Sequence, residues 1–195
     1  GDMDYLNNDS QGAVNCAFFL NRNGDWWQAF SSKFWSNHLG VPASTFQKFK
    51  VNNSAKSLHQ KSIAIEIDCW GWLEKGGFTN SAGKWVAKDS NKFYTYTGAE
   101  VPADKVQYYS EGFLGKKYYE KYTDAQIKSL EDMLVYLCDT YKIPKEYNPN
   151  MWKVTTEALS GKSGIWTHIS YRESGKWDCH FQKELVDMLK NLKNL

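Results

Sequence analysis

The sequence contains no apolar run long enough to span a membrane, no signal-peptide pattern and no basic run longer than a pair. A membrane span needs about 20 consecutive apolar residues, and nucleic-acid binding needs clustered positive charge, so neither partner is implied. The formal net charge of +2 over 195 residues suggests a steered anionic partner only weakly. Cysteine is scarce, and Cys16, Cys69, Cys138 and Cys179 are dispersed with no C-x-x-C spacing. They read as free thiols, with a bridge between two of them left open. Histidine is equally scarce, four in all with none before His38. There is no internal repeat and no low-complexity tract. The chain opens Gly1-Asp2 rather than with Met, which reads as a trimmed or processed start.

What is present fits one domain with a full core: 42% of residues are hydrophobic and 24% charged. Aromatics reach 16%, with nine Trp and twelve Tyr, more than a core of this size needs. Trp and Tyr carry polar tips that want partners, and carbohydrate-facing clefts use such rings. Large aromatic cores use them too, and the core is the default assignment for most.

Residues 1–12 are polar and unpatterned. Residues 13–20 (AVNCAFFL) read as a buried strand, Asn21 to Asp25 as a hairpin turn built on Asn-Gly, and residues 26–30 as the returning strand. Trp35-Ser36-Asn37-His38-Leu39-Gly40 follows. Residues 41–60 read as loop with a short helical turn over 44–49. Residues 61–68 (KSIAIEID) predict a strand with Ile63, Ile65 and Ile67 on one face and Ala64, Glu66 and Asp68 on the other. A mid-strand carboxylate is costly to bury unless it has a partner or a task, so Glu66 is a candidate catalytic group. Residues 70–122, rich in Gly, Lys and aromatics, read as short strands and loops without a core of their own, a decorating insertion.

Thr123-Asp124-Ala125-Gln126 is a capping box, and Ile127, Leu130, Leu134, Leu137 and Tyr141 form one helical stripe that Ile143-Pro144 ends. A strand over residues 165–170 is expected to end near His168. A loop then carries Lys176 and Asp178 to the start of a last helix, which buries Leu185, Met188, Leu189, Leu192 and Leu195. Strand end, loop and helix start thereby gather His168, Lys176 and Asp178. Imidazole and carboxylate are ordinary zinc ligands, and a lysine beside them can stabilise developing negative charge. Helix-capping by Asp178 competes with that role.

Gly164-x-x-x-His168 followed by Lys176-x-Asp178 resembles the C-terminal signature of the zinc-dependent N-acetylmuramoyl-L-alanine amidases of type 2, related to T7 lysozyme and the peptidoglycan recognition proteins. Arg22-Asn23-Gly24 with Gln28-Ala29-Phe30, His38-Leu39-Gly40, and Ser62-Ile63-Ala64-Ile65-Glu66 match that family in order and spacing. The resemblance implies one α/β domain, a central mixed sheet flanked by helices. It implies a peptidoglycan hydrolase that cleaves the amide between N-acetylmuramic acid and L-alanine of the stem peptide. His168 and Asp178 would hold zinc, Glu66 would act on the catalytic water, Lys176 would assist catalysis, and Trp35 and His38 would line the substrate cleft. The implied setting is the cell wall or periplasm, as a phage endolysin or a bacterial enzyme, acting as a monomer.

Three departures accompany the resemblance. The family often continues Asp-Pro-Gly-Pro where this chain reads Asp178-Cys179-His180-Phe181, so Cys179 or His180 could replace Asp178 as ligand. Cys16 stands where some relatives carry a catalytic Tyr. The family's first zinc ligand is a His on a strand before the hairpin, and no His precedes His38. The expected chain therefore lacks the family's first strand and binds zinc weakly or not at all. The alternative function is a non-catalytic peptidoglycan-binding module with an incomplete zinc site.

Overall fold

The computed structural model describes residues 14–195, so the polar 1–12 stretch and Ala13 lie outside the described residues. The hairpin forms as read: β1 (Phe18–Leu20) pairs antiparallel with β2 (Trp26–Gln28), Leu20 opposite Trp26. Gly24 takes φ +90°, and the Asn21 carbonyl accepts its N–H at 3.0 Å, closing the turn. β3 (Ile65–Ile67) adds parallel to β1, with Glu66 opposite Phe19. The outer strands are shorter than expected. Val14 bridges to Asn37 and the Asn15 carbonyl accepts from the Ser36 hydroxyl, so Val14 and Asn15 are tied to that loop.

Two long helices cover one face of this mixed sheet. The first helices in chain order are short, α1 (Ala43–Lys48) and α2 (Ala55–His59); α3 spans Asp124–Tyr141, α4 Thr156–Leu159 and α5 Lys183–Asn191. The capping box before α3 is present: Thr123 Oγ1 accepts from Gln126 N at 3.0 Å, and Gln126 Oε1 from Thr123 N at 3.1 Å. Leu130 and Leu134 of α3 meet Leu185, Met188, Leu189 and Leu192 over Leu20, Ile65 and Ile67. Full burial of such a side chain contributes about 1.5–3 kcal/mol. Tyr141 leaves the predicted stripe for the surface, where its hydroxyl lies 2.6 Å from Ser32 Oγ. Leu195 is 62% exposed, because Leu192–Asn194 tighten into a 3-10 turn that swings it off the apolar face.

α1 occupies the predicted helical turn. α2 was not legible as a helix; Ser54 caps it by accepting from Ser57 N at 3.2 Å. α1, α2 and α4 enclose a second core of Leu39, Val41, Phe46, Leu58, Ala158, Leu159 and Tyr171.

The insertion consists of short strands joined into a sheet, and its packing is with the rest of the chain. β4 (Trp72–Lys75), β7 (Phe93–Tyr94), β8 (Glu100–Val101), β9 (Val106–Phe113) and β10 (Lys116–Glu120) form one antiparallel sheet in the order β8-β7-β4-β10-β9. β5 (Gly77–Thr79) and β6 (Trp85–Ala87) pair separately. Phe113 and Tyr119, with Trp72 and Tyr109 beside them, pack on Ile169, Trp177 and Phe181. The insertion therefore shares a core with the segment that carries His168 and Asp178. Glu120, 6% exposed, joins it to the hairpin through a 3.2 Å ion pair with Arg22.

The strand expected over residues 165–170 is absent. His168–Ser170 form a 3-10 turn instead. The Thr167 and Ser170 hydroxyls both donate to the Met151 carbonyl, and Ser170 Oγ accepts from Thr167 N at 3.2 Å. These side-chain bonds to backbone outcompete the ladder that β-forming Ile165, Thr167 and Ile169 would favour. The molecule is thus a single-domain α/β protein with mixed and antiparallel sheets flanked by helices.

Candidate active site

His168 is oriented by the backbone. Its Nε2–H donates to the Leu39 carbonyl at 2.8 Å, which fixes the tautomer and leaves the Nδ1 lone pair pointing elsewhere. Nδ1 faces Asp178 Oδ2 at 3.5 Å. A lone pair opposite a carboxylate oxygen is repulsive; a proton or a metal ion on Nδ1 makes the contact attractive. Burial pulls the Asp178 carboxyl up, but the His168 ring and the Lys176 charge outweigh it and hold the carboxyl below its usual range.

The choice among Asp178, Cys179 and His180 is made by packing. His180 is 1% exposed; its Nε2–H donates to the Glu120 carbonyl at 2.9 Å and its Nδ1 accepts from the Tyr109 hydroxyl at 2.8 Å. Its ring stacks on Tyr122 at 4.6 Å. Both nitrogens are committed, so His180 is a core residue. Cys179 lies against Tyr122, and burial pushes its thiol up to about 12. Asp178 alone of the three faces His168. It lies in a loop five residues before α5 (Lys183–Asn191), so the expected helix start and capping role do not occur.

Trp177 pins that loop. Its Nε1–H donates to the Leu114 carbonyl at 3.2 Å and its ring meets Trp72 of β4 at 6.0 Å. The insertion sheet thereby sets where Lys176 and Asp178 stand.

On β3, Ile65 and Ile67 pack toward the helices, which turns Glu66 to the opposite face. Cys16 Sγ lies 3.9 Å from Glu66 Oε2. Burial pushes the Cys16 thiol up to about 12; Glu66 and Asp178 add to this, and Lys176 opposes it. Lys176 and Asp178, like Glu66, therefore lie within electrostatic reach of Cys16. Cys16 was noticed in the sequence only as an exchange for Tyr.

The structure does not leave His38 free. Its Nδ1–H donates to the Ser36 carbonyl at 2.8 Å, and its Nε2 lies 2.8 Å from the Ser62 hydroxyl. Burial depresses its pKa to about 4. His59 packs beside it, ring centroids 5.1 Å apart, and accepts from Leu39 N at 3.3 Å. With both nitrogens engaged, His38 braces the loop whose Leu39 carbonyl orients His168. Trp35, 44% exposed, lies at the surface of the same loop. An open hollow of about 550 Å³ between α1 and α2 is lined by Val41, Phe46, Val51 and Ala55 among others, and none of the candidate groups lines it.

The profile of the N-acetylmuramoyl-L-alanine amidase family matches residues 2–180, nearly the whole chain. This protein belongs to the type 2 amidase family. No curated protein and no solved structure matches it. The family's chemistry is peptidoglycan amide hydrolysis, and the order hairpin, His38-Leu39-Gly40, Glu66, His168 and Asp178 falls within the matched range.

The metal that the family implies can be tested against this amidase's donors. His168 Nδ1 and Asp178 Oδ2 fit a zinc ion in type and orientation, and the Leu39 carbonyl is the kind of acceptor that orients a ligating imidazole. Catalytic zinc takes three protein ligands. Among the described residues, no group of three His, Cys, Asp or Glu is placed to hold a metal. Two donors are therefore present and the third is not among them.

Proposed function

We propose that this chain hydrolyses the amide between the lactyl group of N-acetylmuramic acid and L-alanine. Water adds to the amide carbonyl carbon, the C–N bond breaks, and the alanine amine leaves with a proton. Glu66 takes the proton from the attacking water and returns it to the amine. Lys176 stabilises the oxyanion formed on the carbonyl. His168 and Asp178 are the donors for zinc, which when bound supplies Lewis acidity toward the carbonyl. The observation that carries this reading is the pairing of His168 Nδ1 with Asp178 Oδ2 at 3.5 Å, with Glu66 and Lys176 both within electrostatic reach of Cys16. The substrate places the protein at the cell wall, as an exported enzyme or a phage lysin, acting as a monomer.

The count of two donors among the described residues favours a second reading, a module that binds peptidoglycan without cleaving it. Release of new amino termini from purified cell walls separates the two. Amidase activity predicts release that a chelator stops and zinc restores, and that Glu66→Gln lowers at least a hundredfold. Sedimentation with the walls and no amine release under any zinc condition would leave the binding module.

A further inference from the structure

The two tryptophans of β2 differ in what they touch. Trp26 is engaged: its Nε1–H donates to Ser129 Oγ at 2.8 Å, its ring meets Phe18 at 6.3 Å, and it packs against the helix-covered core. Trp27 is 58% exposed, and among the described residues it makes no hydrogen bond and no ring contact. Exposed apolar residues standing singly are ordinary, so exposure alone gives Trp27 no role.

Its register does. Trp27 stands opposite Phe19 of β1, and Phe19 stands opposite Glu66 of β3. Successive side chains of a strand alternate between faces, and residues directly opposite one another share a face. Phe18, Leu20, Trp26, Ile65 and Ile67 take the side that the helices cover. Trp27, Phe19 and Glu66 therefore form one row across the other side. Phe19 in the middle is buried, and β2 is the outermost strand, so the indole stands at the open end of the row. Two strand spacings put the Trp27 and Glu66 backbones about 10 Å apart, close enough for one ligand to touch both side chains.

We propose that Trp27 seats a sugar ring of the glycan strand on this face while the amide carried by that strand lies at Glu66. This rests on the reading of the chain as a peptidoglycan-binding protein. A pyranose has a face of C–H groups edged by hydroxyls. An indole covers that face with its flat apolar surface and keeps its N–H free for a hydroxyl. The stem peptide fits this place less well. Its carboxylates call for cations, whereas β2 carries no charged residue and the acidic Asp25 precedes it. Trp27 is thus a specificity residue for the sugar side of the scissile bond.

The test measures Kd by calorimetry for a muramoyl peptide and for the same peptide bearing only a lactyl group in place of the muramic acid. The parent protein carries Glu66→Gln, so that neither probe is consumed. It is expected to bind the muramoyl form about ten- to hundredfold more tightly, the range of a tryptophan anchor. Trp27→Ala should remove that preference and leave the Kd of the lactyl peptide unchanged. Trp27→Thr, a strand former without a ring, should do the same, and reads the effect if alanine weakens the edge strand. A parent that binds both probes alike overturns the assignment of Trp27 alone. So does a Trp27 variant that keeps the preference, or one that weakens both probes equally. A parent that binds neither probe overturns the peptidoglycan reading with it.

Discussion

Acidification is expected to destabilise the protein through His180. Burial depresses the His180 pKa from 6.5 to about 4, and the bond to the Glu120 carbonyl only partly offsets this. The folded state therefore refuses a proton that the unfolded chain accepts. Between pH 6.5 and 4 the unfolded chain binds more protons, so stability is complete above about 6.5 and falls as pH drops through that window. The shift of about 2.5 units corresponds to roughly 3 kcal/mol over the whole window, of which about 2 kcal/mol is lost by pH 5. His38, whose pKa is also depressed to about 4, adds a loss of the same sign. Urea unfolding followed by tryptophan fluorescence, from pH 7.5 to 4.5, measures the sum. Comparing wild type with His180→Gln isolates His180. The variant starts less stable, because the replacement loses the ring stack on Tyr122, and the gap should narrow by about 2 kcal/mol by pH 5. If the two proteins lose stability in parallel across that range, the argument that buried neutral His180 resists protonation is wrong.

Gly24→Ala should cost about 1–2 kcal/mol in urea unfolding, since a Cβ at φ +90° would also lie 3.0 Å from the Ala125 carbonyl oxygen at the start of α3; an unchanged midpoint would show that the turn can be rebuilt. Lys176→Met should lower amide release about a hundredfold or more while leaving the melting temperature within a few degrees, because the ammonium serves the oxyanion and not the core. Equal losses of release and of fold would move Lys176 to a structural role.

Local pattern carried several elements without help from the rest of the chain. The Asn-Gly turn, the Thr123–Gln126 capping box and the Ile63, Ile65, Ile67 alternation rest on contacts two to four residues apart, which a sequence displays directly. The order of His38, Glu66, His168 and Asp178 was legible in the same way, and so was family membership. The side of the sheet on which Glu66 stands followed from its alternation with the isoleucines.

Tertiary structure decided the rest. Thr167 and Ser170 turn the expected strand into a 3-10 turn by donating to Met151, 16 and 19 residues away. His180 was removed from the candidate ligands by Tyr109 and Glu120, 71 and 60 residues away, leaving Asp178 to face His168. The aromatic residues of the insertion read as decoration until their strands aligned, and then Trp72 and Leu114 proved to hold Trp177 between Lys176 and Asp178. Residue types and short spacings specify which groups are available. Which of them face one another depends on backbone carbonyls, ring faces and missing side chains brought together from distant parts of the chain, and no local pattern encodes those.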